Sequence, residues 1–169
     1  MLLIHVPRLT NRLGYTLNVL FESLLKIDFQ ITTDEQLFER HIGPRLCYGA
    51  NPIGDAPFIK AHELLFETTI EEQTPRHFIH QGIHILFPVY GKGLELPFDP
   101  LAAIFYMASR YEEYLPHYSD LHGRFVAKDS LAFKEGFIET PVIDQWALIV
   151  RDLITKHYPD ANFPAKTFP

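Results

Sequence analysis

The N-terminal third of the chain alternates short apolar runs with stretches of helical periodicity, and this alternation restricts the fold more than any other feature. Apolar runs typical of strands lie at 2–6, 29–31 and 45–48. Between them, apolar residues recur at steps of three and four over 12–26, with Asn11 as a candidate cap, and a shorter helix is predicted over 34–41. Strand, helix, strand, helix, strand is the order of a parallel α/β unit.

The pattern changes after this unit. Short apolar runs separated by polar or turn residues predict β-structure at 58–59, 64–66, 78–79 and 83–87. A helix over 99–115, with Asp99 as its cap and Pro100 at its first position, and a last helix over 141–157 complete the pattern. Residues 119–141 are loop-like, with one candidate strand at 136–138. We therefore predict an α/β fold: one domain with a mixed, partly parallel sheet and flanking helices.

Length and composition agree with one soluble domain. The chain has 169 residues, 47% of them hydrophobic, which excludes a disordered chain. Its net charge of -6 leaves no basic excess for a phosphate backbone, so we expect no nucleic-acid partner. The single cysteine, Cys47, excludes a disulfide framework within the chain. No apolar window approaches the roughly 18 residues of a membrane span.

The two ends give expectations about context. The N-terminus has no basic segment and no cleavage site of a signal peptide, which together with the free cysteine favours a cytoplasmic location. We predict a single α/β domain over 1–158. The proline-rich residues 159–169 are interpreted as a linker toward a further C-terminal domain.

The densest group of chemically active side chains follows the predicted helix 99–115. Its members are Arg110, Glu112, Glu113, His117, Asp120, His122 and Arg124. We favour a structural network of ion pairs and caps, in which Arg110 pairs with Glu113, and Arg124 folds back on Glu112 or Asp120. A ligand-binding surface is the second interpretation. The third is a metal centre built from two carboxylates and two histidines, namely Glu113, His117, Asp120 and His122.

Three further candidates have simpler interpretations. His80 and His84 have the spacing of a metal pair on a helix, but the segment is typical of a strand, where four residues span about 13 Å. His62 and Glu63 are typical of a half-exposed strand. Cys47 lies in an apolar run and is interpreted as a small buried hydrophobic residue.

Several segments of the chain also carry a family likeness. They are Leu96–Tyr106, Ser109–Pro116, Asp120–Phe125, Ala127–Ala132, Pro141–Val142 with Trp146–Leu148, and the opening strand with Asn11–Leu13. Together they resemble an uncharacterised domain that precedes the catalytic domain in some bacterial polysaccharide deacetylase-like proteins. The resemblance extends over about residues 1–164.

The resemblance implies an accessory role. The metal chemistry of such deacetylases uses an aspartate-rich strand end and a His-x-x-x-His pair, and this chain contains no Asp-Asp or Asp-x-Asp. We therefore expect no catalytic residue, cofactor or metal here, although the parent protein is expected to be a metal-dependent deacetylase. The expected role is substrate presentation, partner docking or stabilisation of a C-terminal catalytic domain, with polysaccharide as a further partner. The alternatives are an independent carbohydrate- or nucleotide-binding domain and the small metalloenzyme described above.

Overall fold

A four-stranded parallel sheet forms the centre of the protein, which we describe from a computed structural model over residues 1–161 and 163. The strands are β1 (Leu2–His5), β2 (Phe29–Thr32), β3 (Arg45–Gly49) and β4 (Phe58–Lys60), in the spatial order β2-β1-β3-β4. The register places Ile4 opposite both Ile31 and Leu46. A separate antiparallel hairpin consists of β5 (Phe78–His80) and β6 (Ile83–Ile85). The predicted α/β class and mixed strand directions are confirmed, with the two directions divided between two sheets.

The central strand β1 is buried between two apolar layers. Leu2 and Ile4 belong to the large core, which also contains the first helix. Leu3 points to the opposite layer, where it packs with Phe38 and Cys47. This alternation follows from the two-residue period of a strand buried on both faces.

The predicted helix 12–26 is present and has two parts. α1 (Asn11–Leu17) continues into a wider π-helical segment, Asn18–Leu25. The cap is Thr10 rather than Asn11, because the Thr10 hydroxyl accepts the N–H of Leu13 at 3.1 Å. The helix ends where Lys26 takes the left-handed conformation, with φ of 56°.

Of the remaining α-helices, two agree with the prediction, one is shorter than predicted, and one short helix is absent from the prediction. α2 (Glu35–Arg40) and α5 (Val142–His157) agree with their predicted ranges to within a residue or two. α3 (Pro100–Ala108) ends well before residue 115, because Arg110 adopts a φ of 54° and a 3₁₀ turn, Tyr111–Tyr114, follows. A further 3₁₀ turn, Ala127–Asp129, and a short α4 (Leu131–Lys134), capped by Ser130, lie in the segment predicted as loop.

Two predicted strands do not form. Residues 63–66 are a 3₁₀ turn capped by His62, and both Leu64 and Leu65 are fully buried. Two consecutive buried side chains fit a helical turn, whereas a half-exposed strand would bury one of them. The candidate strand at 136–138 is a turn, since Gly136 has a φ of 74°.

None of the helices that the structure describes is long and apolar enough to cross a membrane.

The predicted linker 159–169 is described only in part. Residues 162 and 164–169 lie outside the described residues, while Phe163 packs partly against the core.

Candidate functional site

Most of the predicted polar cluster surrounds one open cavity of about 640 Å³ beyond the C-terminal end of α3. We call it the arginine cavity. It is lined by Arg110, Glu113, His117, Asp120, Gly123, Arg124, Phe125, Val126 and Ala127. Five of the seven predicted residues line the cavity, and Glu112 and His122 do not.

The left-handed backbone at Arg110 builds one wall. It ends α3 and turns the chain so that Glu113, three residues later, forms an ion pair with the Arg110 guanidinium. The Arg110 side chain is 72% exposed, whereas that of Glu113 is largely covered. One carboxylate does not use all the N–H donors of a guanidinium, so donors remain for a ligand.

A tight hairpin supplies further residues of the cavity lining. Ser119 and Phe125 form an antiparallel bridge, and the backbone N–H of Asp120 donates to the carbonyl of Arg124 at 2.9 Å. Gly123 closes the turn with a φ of 75°. We call residues 119–125 the arginine hairpin.

The Asp120 carboxylate holds this hairpin together. Oδ1 accepts the backbone N–H groups of His122 and Arg124 at 2.8 and 2.9 Å, and Oδ2 accepts Nε of Arg124 at 3.1 Å. These donors, the backbone N–H of Arg124 first, lower the pKa of Asp120, so the group is ionised at neutral pH. Arg124, like Arg110, remains 72% exposed.

Two histidines take different positions around this hairpin. His117 hydrogen-bonds through Nδ1 to the Leu115 carbonyl at 2.8 Å and lies edge-on to Phe125 at 5.1 Å. The ring of His122 is exposed, and its backbone N–H joins the Asp120 turn. The predicted single network is therefore divided into two ion pairs, Arg110–Glu113 and Arg124–Asp120, on two walls of one cavity.

Glu112 does not line the cavity and instead hydrogen-bonds to the backbone of Leu131. Its Oε1 accepts the N–H of Leu131 at 2.8 Å, which ties the 3₁₀ turn after α3 to the start of α4. Burial raises the pKa of Glu112, and the hydrogen bond from Leu131 opposes that effect. Arg124 pairs with Asp120 and not with Glu112.

The hypothetical metal centre does not form. Among residues 1–161 and 163, no three His, Cys, Asp or Glu side chains come close enough together to hold an ion. His80 and His84 lie on opposite strands of the β5–β6 hairpin, because the turn at Gln81–Gly82 separates them. Their pairing with Ile83 and Ile79, respectively, places them on opposite faces.

The remaining candidates have structural contacts. Nδ1 of His62 accepts the N–H of Leu64 at 3.3 Å, so His62 caps a turn rather than lying in a strand. Cys47 is buried, as predicted, and burial raises the pKa of its thiol to about 11. A thiol with that pKa is a poor nucleophile at neutral pH.

The sequence identifies Asp99 as a helix cap but does not indicate its contacts with distant residues. Its fully buried carboxylate accepts four hydrogen bonds: from the Tyr48 hydroxyl and the His62 N–H, both at 2.7 Å, and from the N–H groups of Leu101 and Ala102 at 2.9 and 3.1 Å. It thus joins β3, the segment after β4 and α3. Burial raises the pKa of Asp99 despite these donors, and burial beside Asp99 keeps the pKa of Tyr48 well above its ordinary value.

Comparison with known proteins gives one match. Residues 2–159 match the model of a family described as a family of unknown function, DUF7033. No curated protein and no solved structure matches the chain.

Proposed function

The chain belongs to the DUF7033 family of unknown function, and we propose that it is a non-catalytic accessory domain of a polysaccharide deacetylase-like protein. In this proposal the arginine cavity holds a segment of acetylated glycan and presents it to a catalytic domain of the same polypeptide. The observation that carries the proposal is the pair of exposed arginines, each beside a carboxylate, that line one open cavity.

The polar groups of the cavity suit a ligand rich in hydroxyls. A hydroxyl both donates and accepts, so it can receive an arginine N–H and donate to the adjacent carboxylate. Arg110 with Glu113, and Arg124 with Asp120, offer that combination on each wall. An acetyl group adds a carbonyl oxygen, which can accept a further arginine N–H.

The same cavity has an apolar surface. Phe125, Val126 and Ala127 line it beside the arginines. The C–H faces of a sugar ring are apolar and can pack on such a surface while the ring hydroxyls reach the charged groups.

Charge favours a neutral glycan over a nucleotide. The two arginines of the cavity are each neutralised by a carboxylate, and the chain as a whole has a net charge of -6. A phosphate would find no excess positive charge at this site. This argument leads us to prefer the carbohydrate to the nucleotide alternative.

In this proposal, another domain of the polypeptide catalyses the deacetylation. Asp120 is ionised and engaged by three N–H donors, and Glu113 is paired with Arg110. A general acid needs a proton to give near neutral pH, and Asp120, whose pKa is lowered by its N–H donors, does not hold one there.

Calorimetric titration with a tetrasaccharide of N-acetylglucosamine tests the glycan site. We expect the full chain to bind, and Arg124→Ala to weaken binding about tenfold or more through the loss of charge-assisted hydrogen bonds. The matched control is Arg151→Ala, which removes an arginine paired with Asp152 on α5, outside the cavity. Equal affinities for the two variants, or no binding by the full chain, would contradict the proposal.

A second candidate role, partner docking, is favoured by the arginine hairpin itself. Leu121 at its tip is fully exposed, and Tyr118 just before it is 88% exposed. The hydrogen bonds of Asp120 fix the hairpin, so little conformational entropy is lost when an apolar side chain at the tip enters a pocket of a partner.

Substitution at the tip separates docking from glycan binding. Leu121→Ser should weaken association with a separately expressed catalytic domain of a polysaccharide deacetylase-like protein and leave tetrasaccharide affinity unchanged. Ile42→Ser, at an equally exposed aliphatic residue after α2, is the matched control. Equal association of the two variants would exclude docking through the hairpin.

A further inference from the structure

Two histidines and a glutamate form a hydrogen-bonded chain outside the arginine cavity. Oε2 of Glu135 lies 2.9 Å from Nδ1 of His77, and Nε2 of His77 lies 2.8 Å from Nδ1 of His84. We call His77, His84 and Glu135 the histidine clip. His77 directly precedes β5, His84 is in β6, and Glu135 follows α4.

The histidine clip joins the β5–β6 hairpin to the corner between α4 and α5. The two imidazoles stack with their centroids 5.0 Å apart, and the buried Phe137 ring lies 5.4 and 5.2 Å from them. The His77 side chain is only 11% exposed. From α5, Nε1 of Trp146 donates to the backbone carbonyl of His84 at 2.8 Å.

Few charged groups compete with Glu135 for the two imidazoles. Phe137 and Trp146, which pack against them, carry no charge. The charged residues nearest along the packed segments are Arg76 beside His77, Lys134 at the end of α4, Glu139 in the corner between α4 and α5, and Asp144 in the first turn of α5. Within the described part of the chain, none of these four makes a hydrogen bond or ion pair with either ring.

The number of protons that the clip can hold follows from its geometry. With both rings neutral and Glu135 ionised, His77 donates from Nδ1 to Glu135 and accepts at Nε2 from Nδ1–H of His84. One added proton on Nε2 of His84 leaves both contacts intact. A second added proton on Nε2 of His77 would set N–H against N–H at the 2.8 Å contact and place two cations face to face.

We propose that the histidine clip is a pH-sensitive fastener. It holds the β5–β6 hairpin on the α4–α5 corner while it carries at most one added proton, and it releases the hairpin when both imidazoles are protonated. Imidazoles in proteins change protonation between about pH 5 and 8, so the device works near physiological acidity.

The sign of the pH dependence follows from proton counting. The open state binds two added protons at low pH and the closed state at most one, so opening is favoured as the pH falls. A difference of one proton changes the opening equilibrium about tenfold per pH unit.

Release of the β5–β6 hairpin can be followed by tryptophan fluorescence. Trp146 is the only tryptophan, and its indole N–H is bonded to the backbone of His84 itself. Release of the hairpin should therefore expose the indole and shift its fluorescence emission to longer wavelength. We expect this shift when the unsubstituted chain is acidified from about pH 8 to 5.

Matched variants test the proposal. His84→Gln removes one of the two titrating rings and should abolish the acid-induced emission shift. His80→Gln removes an exposed imidazole on the opposite face of the same hairpin and should preserve it. An emission that stays constant from pH 8 to 5 in the unsubstituted chain, or an equal shift in both variants, overturns the proposal.

Amide exchange gives a second measurement if His84→Gln does not fold. After correction for the intrinsic rate, exchange in the β5–β6 ladder of the unsubstituted chain should accelerate about tenfold per pH unit below the transition. The amides of the β1–β3 ladder are the internal control. Equal pH dependence of the two ladders contradicts the clip.

Discussion

Asp99 shows at the residue scale how one side chain can connect three elements. Its carboxylate accepts donors from β3, from the segment after β4 and from the first turn of α3, and it is fully buried. Removing such a group leaves several buried donors without a partner, and each unpaired group costs about 1–3 kcal/mol.

We therefore predict that Asp99→Ala lowers the free energy of unfolding by about 3 kcal/mol or more, measured by urea denaturation at pH 7. Asp34→Ala is the control, because Asp34 caps α2 with two similar backbone hydrogen bonds but is exposed. Its loss should be about 1 kcal/mol. Equal losses would show that the burial of Asp99 contributes nothing.

The raised pKa of Asp99 gives a prediction with a definite sign. The folded-state pKa lies above the ordinary value of 3.8, so the folded state binds this proton more tightly than the unfolded state. The stabilising contribution is complete below pH 3.8 and is lost as the pH rises through the folded-state pKa. The stability of the unsubstituted chain relative to Asp99→Asn should therefore fall from acidic to neutral pH in chemical denaturation. A relative stability that rises with pH would mean that the hydrogen bonds outweigh burial.

At the scale of elements, the first helix ends on a strained residue. Lys26 is exposed and has a left-handed backbone with φ of 56°, a conformation that glycine adopts without the steric cost paid by other residues. We predict that Lys26→Gly raises the free energy of unfolding by about 0.5 kcal/mol, seen as a higher midpoint in thermal melts. Glu22→Gly, on the exposed side of the same helix, should lower it by about 1 kcal/mol. A lower free energy of unfolding in both variants would show that the backbone at Lys26 is not strained.

The elements that could be predicted from the sequence are those set by local periodicity. β1, α1, β2, α2 and β3 follow from short apolar runs and from apolar residues at steps of three and four, which need no knowledge of distant residues. The break of α3 at Arg110 and the 3₁₀ turn at 63–66 could not be predicted in this way. Both depend on which side chains the rest of the fold buries.

The candidate sites also differ in whether their residues are close together or far apart in the sequence. The residues of the arginine cavity lie within 18 positions of one another, so a local cluster of polar residues was enough to predict five of the nine. Asp99 meets Tyr48 across 51 positions, and Glu135 meets His77 across 58. No spacing in the sequence indicates contacts of that length.

At the scale of the whole molecule, we propose that this domain binds the glycan and that a different domain catalyses its deacetylation. We predict that residues 1–169 alone release no acetate above the blank from acetylated oligosaccharides, with or without added zinc, because their sequence lacks the Asp-Asp or Asp-x-Asp pair of such deacetylases. Acetate release can be followed by a coupled assay. Turnover that Asp120→Ala abolishes would contradict the accessory role.

The central claim, that the arginine cavity binds glycan, is tested most directly by mapping amide chemical shifts during titration with a tetrasaccharide of N-acetylglucosamine. The account predicts saturable shifts at residues 110–127, including the Nε–H of Arg124, and unchanged signals in the β5–β6 hairpin and the central sheet. The absence of shifts at saturating tetrasaccharide, or saturable shifts confined to residues outside 110–127, would contradict it.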